Sequence, residues 1–223
     1  MSGKPPSLSI SVFPSVELAD ENGLLVVSEE IDERLLIDAY SNGIFPWPFS
    51  EQEKLIPWFA PPERALLFVS EFHIPKSLEK TLKKNIFEIR FSSDFDSVIT
   101  NCRTIKRKDK YGASETGTWI SEELIEAYKK LNKLGHCYSV ESYREGQLVG
   151  GLYGVSIGKI FSGESMFHKE KDASKVCLVY LINHLKSKGI DWLDCQQLTA
   201  LLESFGAREI PRKEFTQLLE SAN

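Results

Sequence analysis

The sequence predicts a mixed α/β fold, a mostly antiparallel sheet covered by helices, and three observations carry that expectation. From His136 onward the apolar spacing shortens to a period of two, and His136–Tyr143, Gln147–Val155 and Lys159–Gly163 read as successive strands with short turns. A long helical pattern follows over Ala173–Lys188 and closes at Gly189. A short apolar strand, Ile190–Cys195, then returns to the sheet. Meander, covering helix and returning strand together describe two packed layers around one core.

The remaining elements fall in order along the chain. Ser28 is placed to cap a helix whose apolar residues Ile31, Leu35, Ala39 and Tyr40 recur at helical spacing, with Gly43 as its stop. Ile44-Phe-Pro-Trp47-Pro-Phe49 cannot continue that helix, because proline lacks the N–H and restricts the residue before it. A second proline cluster, Pro57 to Pro62 around Trp58, suggests a small N-terminal domain over residues 1–62 and a larger domain over 63–223. His73–Lys84 reads as a helix with Lys76, Lys80, Lys83 and Lys84 largely on one side. Ser121 opens the best-marked helix: Glu122 and Glu123 lie in its first turn, Leu124, Tyr128 and Leu131 form its stripe, and Gly135 ends it. Asp172 is placed to cap the long helix, a helix follows near Leu198–Phe205, and a last one opens at Pro211.

Composition limits the function classes. An apolar share of 42% supplies a real core, and no stretch approaches the ~18 apolar residues of a membrane span, so a soluble protein is expected, and its cysteine usage fits the cytoplasm. Cys102, Cys137, Cys177 and Cys195 form no C-x-x-C pair, which fits reduced thiols and gives metal binding little support. The formal net charge of −5 hides a gradient. Residues 1–72 carry 4 basic and 12 acidic side chains, residues 73–111 carry 10 and 5, and the remainder 13 and 15. The basic excess is therefore local, as a phosphate contact requires.

Two apparent motifs fail. Gly154-Val-Ser-Ile-Gly158-Lys159 has three residues between its glycines where a phosphate loop needs four, and Ile160 replaces the magnesium-binding hydroxyl. Gly163-Glu-Ser165-Met-Phe167 lacks the final glycine of a nucleophile elbow. Three polar residues are harder to dismiss. Glu164 sits in an apolar setting that would bury a carboxylate, and a structural salt bridge is one explanation. Asp194 and Gln196 fall on one face at the carboxyl end of a strand, where ligand sites gather, although a structural hydrogen-bonded pair would also account for them. Core packing is the first reading for Trp47 and Trp58, but their proline-broken segments make it less easy, and stacking on a nucleobase is the alternative.

In combination these residues point further. Gly43-Ile-Phe-Pro-Trp47, Arg64, Thr118-Trp119-Ile120, Ser139-Val-Glu141, Leu148-Val-Gly-Gly-Leu-Tyr-Gly154, Gly163-Glu-Ser-Met-Phe167, Ala173-Ser-Lys175 and Asp194-Cys-Gln196 occur in one order. That ordered set, over about residues 13–216, resembles the bacterial leucyl/phenylalanyl-tRNA–protein transferases. The resemblance implies a larger domain like the GCN5-related N-acyltransferases. It also implies an aminoacyltransferase that moves Leu or Phe, with Met a further candidate, from aminoacyl-tRNA onto proteins beginning with Arg or Lys, marking them for degradation by the N-end rule.

An aminoacyl ester is already activated, so the implied reaction requires no ATP, metal or other cofactor, and the catalyst orients the amine and removes its proton. By the resemblance, Asp194 holds Gln196 by a hydrogen bond and makes its side-chain carbonyl the acceptor for that proton; transfer through the tRNA ribose is the alternative. Leu152, Phe161, Met166, Leu178 and Leu193 are the matching positions of an apolar pocket for the Leu or Phe side chain. Trp47 and Trp119 would hold the 3′-terminal adenosine or the aminoacyl end, and Glu164 would hydrogen-bond there. Lys76, Lys80, Lys83, Lys84, Lys106, Arg107 and Lys108 become contacts to the tRNA backbone, and a monomer is expected. Departures from the pattern include Ser28-Glu-Glu-Ile31, Leu201 and His168. An acyl-CoA-dependent acetyltransferase would want a glycine-rich loop before the long helix, and Lys169–Ser174 has no glycine. A tRNA-binding module without activity would leave Asp194 and Gln196 dispensable.

Overall fold

A computed structural model describes residues 11–47, 55–104 and 120–222. After a short 3-10 turn, Val16–Leu18, strands β1 (Leu24–Ser28), β2 (Phe45–Pro46) and β3 (Ile56–Phe59) form a three-stranded sheet in the order β1-β3-β2. Helix α1 (Glu33–Ser41) connects the first two strands. It starts later than expected. Asp32 caps it, accepting the Leu35 N–H at 2.8 Å, while Ser28 ends β1 and accepts the indole N–H of Trp58. That bond satisfies the polar handle of a fully buried ring, so Trp58 is core and not a stacking surface.

The large sheet has seven strands in the order β10-β4-β9-β8-β7-β6-β5. Its members are β4 (Glu63–Phe68), β5 (Glu88–Phe91), β6 (Cys137–Arg144), β7 (Gln147–Ile157), β8 (Ile160–His168), β9 (Trp192–Gln196) and β10 (Arg208–Pro211). The expected meander is β6-β7-β8, with the third strand running on to His168. Glu145 and Gly146 both have positive φ, 51° and 75°, the two-residue hairpin turn whose twist suits antiparallel strands. Every pairing is antiparallel except β8 with β9. Strands β4, β5 and β10 carry little alternation, and tertiary pairing defines them.

Helices cover both faces. On one face α3 (Phe95–Thr104) and α4 (Glu122–Lys133) join α1 over Tyr153, Val155 and Phe167 of the sheet, so the N-terminal segment and the larger sheet share one apolar cluster. On the other face α5 (Ala173–Ser187) and α2 (Lys76–Lys84) cover Val140, Leu152, Phe161 and Leu193. Ser121 caps α4 as expected, accepting the Leu124 N–H. Helix α2 begins at Lys76, with Pro75 rather than His73 at its start. Asp172 stands before α5 with φ 67° but makes no side-chain cap; its carboxylate accepts instead from Thr81 and Lys175. The short α6 (Ala200–Glu203) follows β9, and α7 (Arg212–Ala222) packs Phe215 and Leu219 on Leu66 and Ile210. Among the described residues no helix is long and apolar enough to cross a membrane.

Candidate active site

The parallel strands β8 and β9 pair only at Phe161 with Leu193 and at Ser162 with Asp194. Past those pairs both strands continue, and each carries a bulge. Against β7, Tyr153 opposes Ser165 while Gly154 opposes Gly163, so Glu164 is the extra residue. Against β4, Leu66 opposes Asp194 while Ala65 opposes Gln196, so Cys195 is the extra residue. Bulges kink a strand and re-aim its side chains. Here they part the pair and turn Glu164 and Gln196 toward each other. The tight packing beneath the first bulge requires Gly154, whose Cβ would lie 2.3 Å from the Ser162 carbonyl oxygen.

Asp194 is 1% exposed, and four donors hold it. Arg64 Nε donates to Oδ1 and Nη2 to Oδ2, each at 2.7 Å; Ser162 Oγ donates to Oδ2 at 2.9 Å, and the Gln196 backbone N–H to Oδ1 at 3.0 Å. A buried carboxylate needs such pairing to offset its desolvation. Arg64 is equally buried, with the Phe45 and Phe215 ring centroids 4.5 and 4.7 Å from its guanidinium carbon. The expected Asp194–Gln196 hydrogen bond therefore exists, but it reaches the backbone of Gln196 rather than its side chain. It fixes Gln196 at φ 56°, an unfavourable left-handed geometry for a residue with a side chain.

The Gln196 side chain is held from the other strand. Its Nε2 donates to Glu164 Oε1 at 3.0 Å, which leaves Oε1 of the amide as an acceptor. Glu164 Oε2 accepts from the Tyr128 hydroxyl at 3.0 Å. Because Tyr128 has one proton to give, its 2.7 Å contact with Tyr40 runs from Tyr40 to Tyr128. Glu164 thus has tyrosine partners and an amide where a salt bridge was one expectation. Burial pushes its carboxyl up to about 7, with the hydrogen bonds from the tyrosines and the Arg64 charge opposing and the Asp194 charge adding to the rise. Both tyrosines are raised well above their ordinary range by burial and by the Glu164 charge, so they remain donors.

Leu152, Phe161, Leu178 and Leu193 are buried in one cluster beneath α5, with Met166 half-buried at its edge. They lie on the sheet face opposite Tyr128 and Tyr153. Trp47 is half-buried, its ring 6.2 Å from Phe45, which in turn lies against Arg64. Lys76, Lys80, Lys83 and Lys84 are exposed along α2. Trp119, Lys106, Arg107 and Lys108 lie outside the described residues. Among the described residues no three His, Cys, Asp or Glu side chains gather as a metal site.

The sequence alone does not mark Ser162, Tyr40, Tyr128 or Arg64 as parts of this network. The two tyrosines count as helix-stripe residues, and the one available signal was that a buried phenol needs a partner.

Two family models match the chain: the leucyl/phenylalanyl-tRNA protein transferase N-terminal domain over residues 29–62, and leucyl/phenylalanyl-tRNA protein transferase over residues 66–220. Proteins named leucyl/phenylalanyl-tRNA–protein transferase are similar over nearly the whole length. The one from Flavobacterium johnsoniae is 46% identical over 209 residues, covering 94% of this chain and 95% of that protein. That from Nitrosomonas eutropha is 47% identical over 209 residues, covering 93% and 86%. That from Syntrophobacter fumaroxidans is 44% identical over 208 residues, covering 93% and 86%. Matched by the two models over residues 29–62 and 66–220, the chain belongs to the leucyl/phenylalanyl-tRNA–protein transferase family.

Proposed function

We propose that this protein transfers Leu or Phe from aminoacyl-tRNA to the α-amino group of proteins beginning with Arg or Lys, creating a degradation signal of the N-end rule. It acts as a cytoplasmic monomer in which residues 1–62 form a small domain and 63–223 carry the chemistry. The observation that carries the reading is the hydrogen bond from Gln196 to Glu164 across the gap between β8 and β9.

The attacking amine forms a C–N bond to the ester carbonyl carbon as the bond from that carbon to the ribose 3′-oxygen breaks. One proton must leave the nitrogen and finally reach the departing oxygen. Gln196 Oε1 accepts a hydrogen bond from the amine and orients it. A neutral amide is too weak a base to keep the proton. Glu164, shifted to about 7, has the basicity to take a proton near neutral pH through the Gln196 amide, whose Oε1 receives the amine's proton as Nε2 releases its own to Glu164, and the reverse relay delivers a proton to the 3′-oxygen. Asp194, with four donors on two oxygens, positions the Gln196 backbone and takes no proton. The cluster of Leu152, Phe161, Met166, Leu178 and Leu193 borders the same gap and supplies the apolar surface for Leu or Phe. Burying such a side chain contributes roughly 1.5–3 kcal/mol. Trp47 and Trp119 hold the adenosine or the aminoacyl end.

Incubation with leucyl-tRNA and peptides beginning with Arg, Lys or Ala tests the reading. A mass gain of one leucine on the Arg and Lys peptides is expected, and no gain on any peptide would remove the transferase assignment.

A further inference from the structure

The basic face of α2 does not end at Lys84. Thr81, between Lys80 and Lys83, donates to Asp172 Oδ2 at 2.9 Å, and this bond brings α2 against the turn from β8 into α5. That turn reads Lys169-Glu-Lys171-Asp172-Ala-Ser-Lys175. Its two carboxylates are both engaged locally: Glu170 pairs with Arg144 at 2.8 Å, and Asp172 with Lys175 at 3.0 Å. Lys169 and Lys171 are exposed, the Lys169 ammonium 5.8 Å from the Phe167 ring centroid and Lys171 beside an Asp172 carboxylate that already pairs with Lys175. Together α2 and the turn carry seven lysines against three carboxylates, Glu79, Glu170 and Asp172.

The turn is also well placed relative to the chemistry. Both β8 and β9 point their carboxyl ends the same way, so the turn and the Glu164–Gln196 gap lie at the same end of the parallel pair. Lys169 is five residues beyond Glu164 on an extended strand, a separation on the order of 15 Å at about 3.3 Å per residue. Stacked nucleotides at roughly 3.4 Å of rise cover that distance in about four or five steps. An RNA strand whose terminal ester sits in the gap brings phosphates from just behind its 3′ end over the turn.

Building on the proposed transferase reading, we infer that Lys169 and Lys171 form a second contact for the tRNA phosphate backbone, continuous with the lysines of α2. The Thr81–Asp172 bond locks the two basic segments into one surface. Phosphate contacts act through counterion release, so this surface contributes to affinity in a salt-dependent way and leaves the chemical step alone.

The test compares the wild-type protein with the Lys169→Gln/Lys171→Gln double variant in binding of phenylalanyl-tRNA over a range of KCl concentrations. Each protein is also assayed for transfer from an aminoacyl-adenosine, a donor without a phosphate backbone. The variant is expected to bind tRNA more weakly at low salt, with a log–log salt slope shallower by about 1.4 to 1.8, and to use aminoacyl-adenosine at the wild-type rate. An unchanged salt slope would overturn the contact. Equal losses with both donors would overturn it as well, because the effect would then lie in the reacting site. Wild-type protein that transfers from neither donor would remove the transferase reading, while the salt slope, a binding measurement, would still decide whether the turn meets phosphate.

Discussion

Arg64 grips both oxygens of Asp194 through parallel 2.7 Å hydrogen bonds, and the two residues are 130 positions apart in the chain. A planar guanidinium matches a carboxylate in this way, whereas a lysine ammonium offers a point charge. The pair organises the Gln196 backbone, and in the proposed mechanism the proton chemistry falls to Glu164.

Removing one partner of this buried pair is expected to be costly. Arg64→Met should lower stability by about 3–5 kcal/mol, the range for an uncompensated buried charge, as measured by urea unfolding. Arg64→Met combined with Asp194→Asn should cost less than the two single changes summed, because neither then strands a charge. Additive losses would show that the two residues do not act as a unit.

In the proposed mechanism Glu164 gives activity a pH dependence. Transfer in single turnovers should rise through about pH 7 as its carboxyl ionises, and Glu164→Gln should lower the rate roughly 10²- to 10⁴-fold and flatten the profile. A Gln variant that keeps the wild-type pH profile would exclude Glu164 as proton acceptor.

Stability should follow the opposite trend. The unfolded chain releases this proton near the ordinary glutamate value of 4.5 and the folded chain near 7. Between those values the folded state binds more protons, so its stability falls as pH rises. The difference in Tm between Glu164→Gln and wild type should therefore shift in favour of the variant from pH 4.5 to pH 8. A difference that stays constant with pH would contradict the raised carboxyl.

Tyr128→Phe removes a hydrogen bond that holds the Glu164 carboxyl down, so the rising limb of the pH–rate profile should move above 7. Tyr40→Phe should act in the same direction and cost about 0.5–1.5 kcal/mol of stability. Rate profiles from pH 6 to 9 provide the check.

Leu152→Trp should block Phe transfer while binding of deacylated tRNA stays at the wild-type level. Leu152 already lies buried opposite Met166, and added volume there fills the apolar surface first. Unchanged Phe transfer would refute the pocket.

The sequence carried local information well and non-local information poorly. Ser121, Gly135 and the period-two alternation after His136 mark α4 and the meander because each signal lies within its own element. Strand β4 offers only a short apolar run, and its partners β9 and β10 lie more than a hundred residues away. Asp194, Gln196 and Glu164 could be singled out as polar residues in apolar settings. Their bonding pattern could not, because it follows from bulges at Glu164 and Cys195 and from the positive φ of Gln196, which simple strand alternation does not contain.

The placement of β4 between β9 and β10 also governs when the protein becomes functional. A chain emerging from the ribosome makes Arg64 early and Asp194 late, and such long-range pairing is slow to form because the intervening loop must first close. The meander can assemble as soon as its own residues appear, but the flank of β8 stays open until β9 arrives. The Glu164–Gln196 contact therefore waits for residue 196 of 223, and a chain that ends before β9 has no assembled centre with which to consume aminoacyl-tRNA.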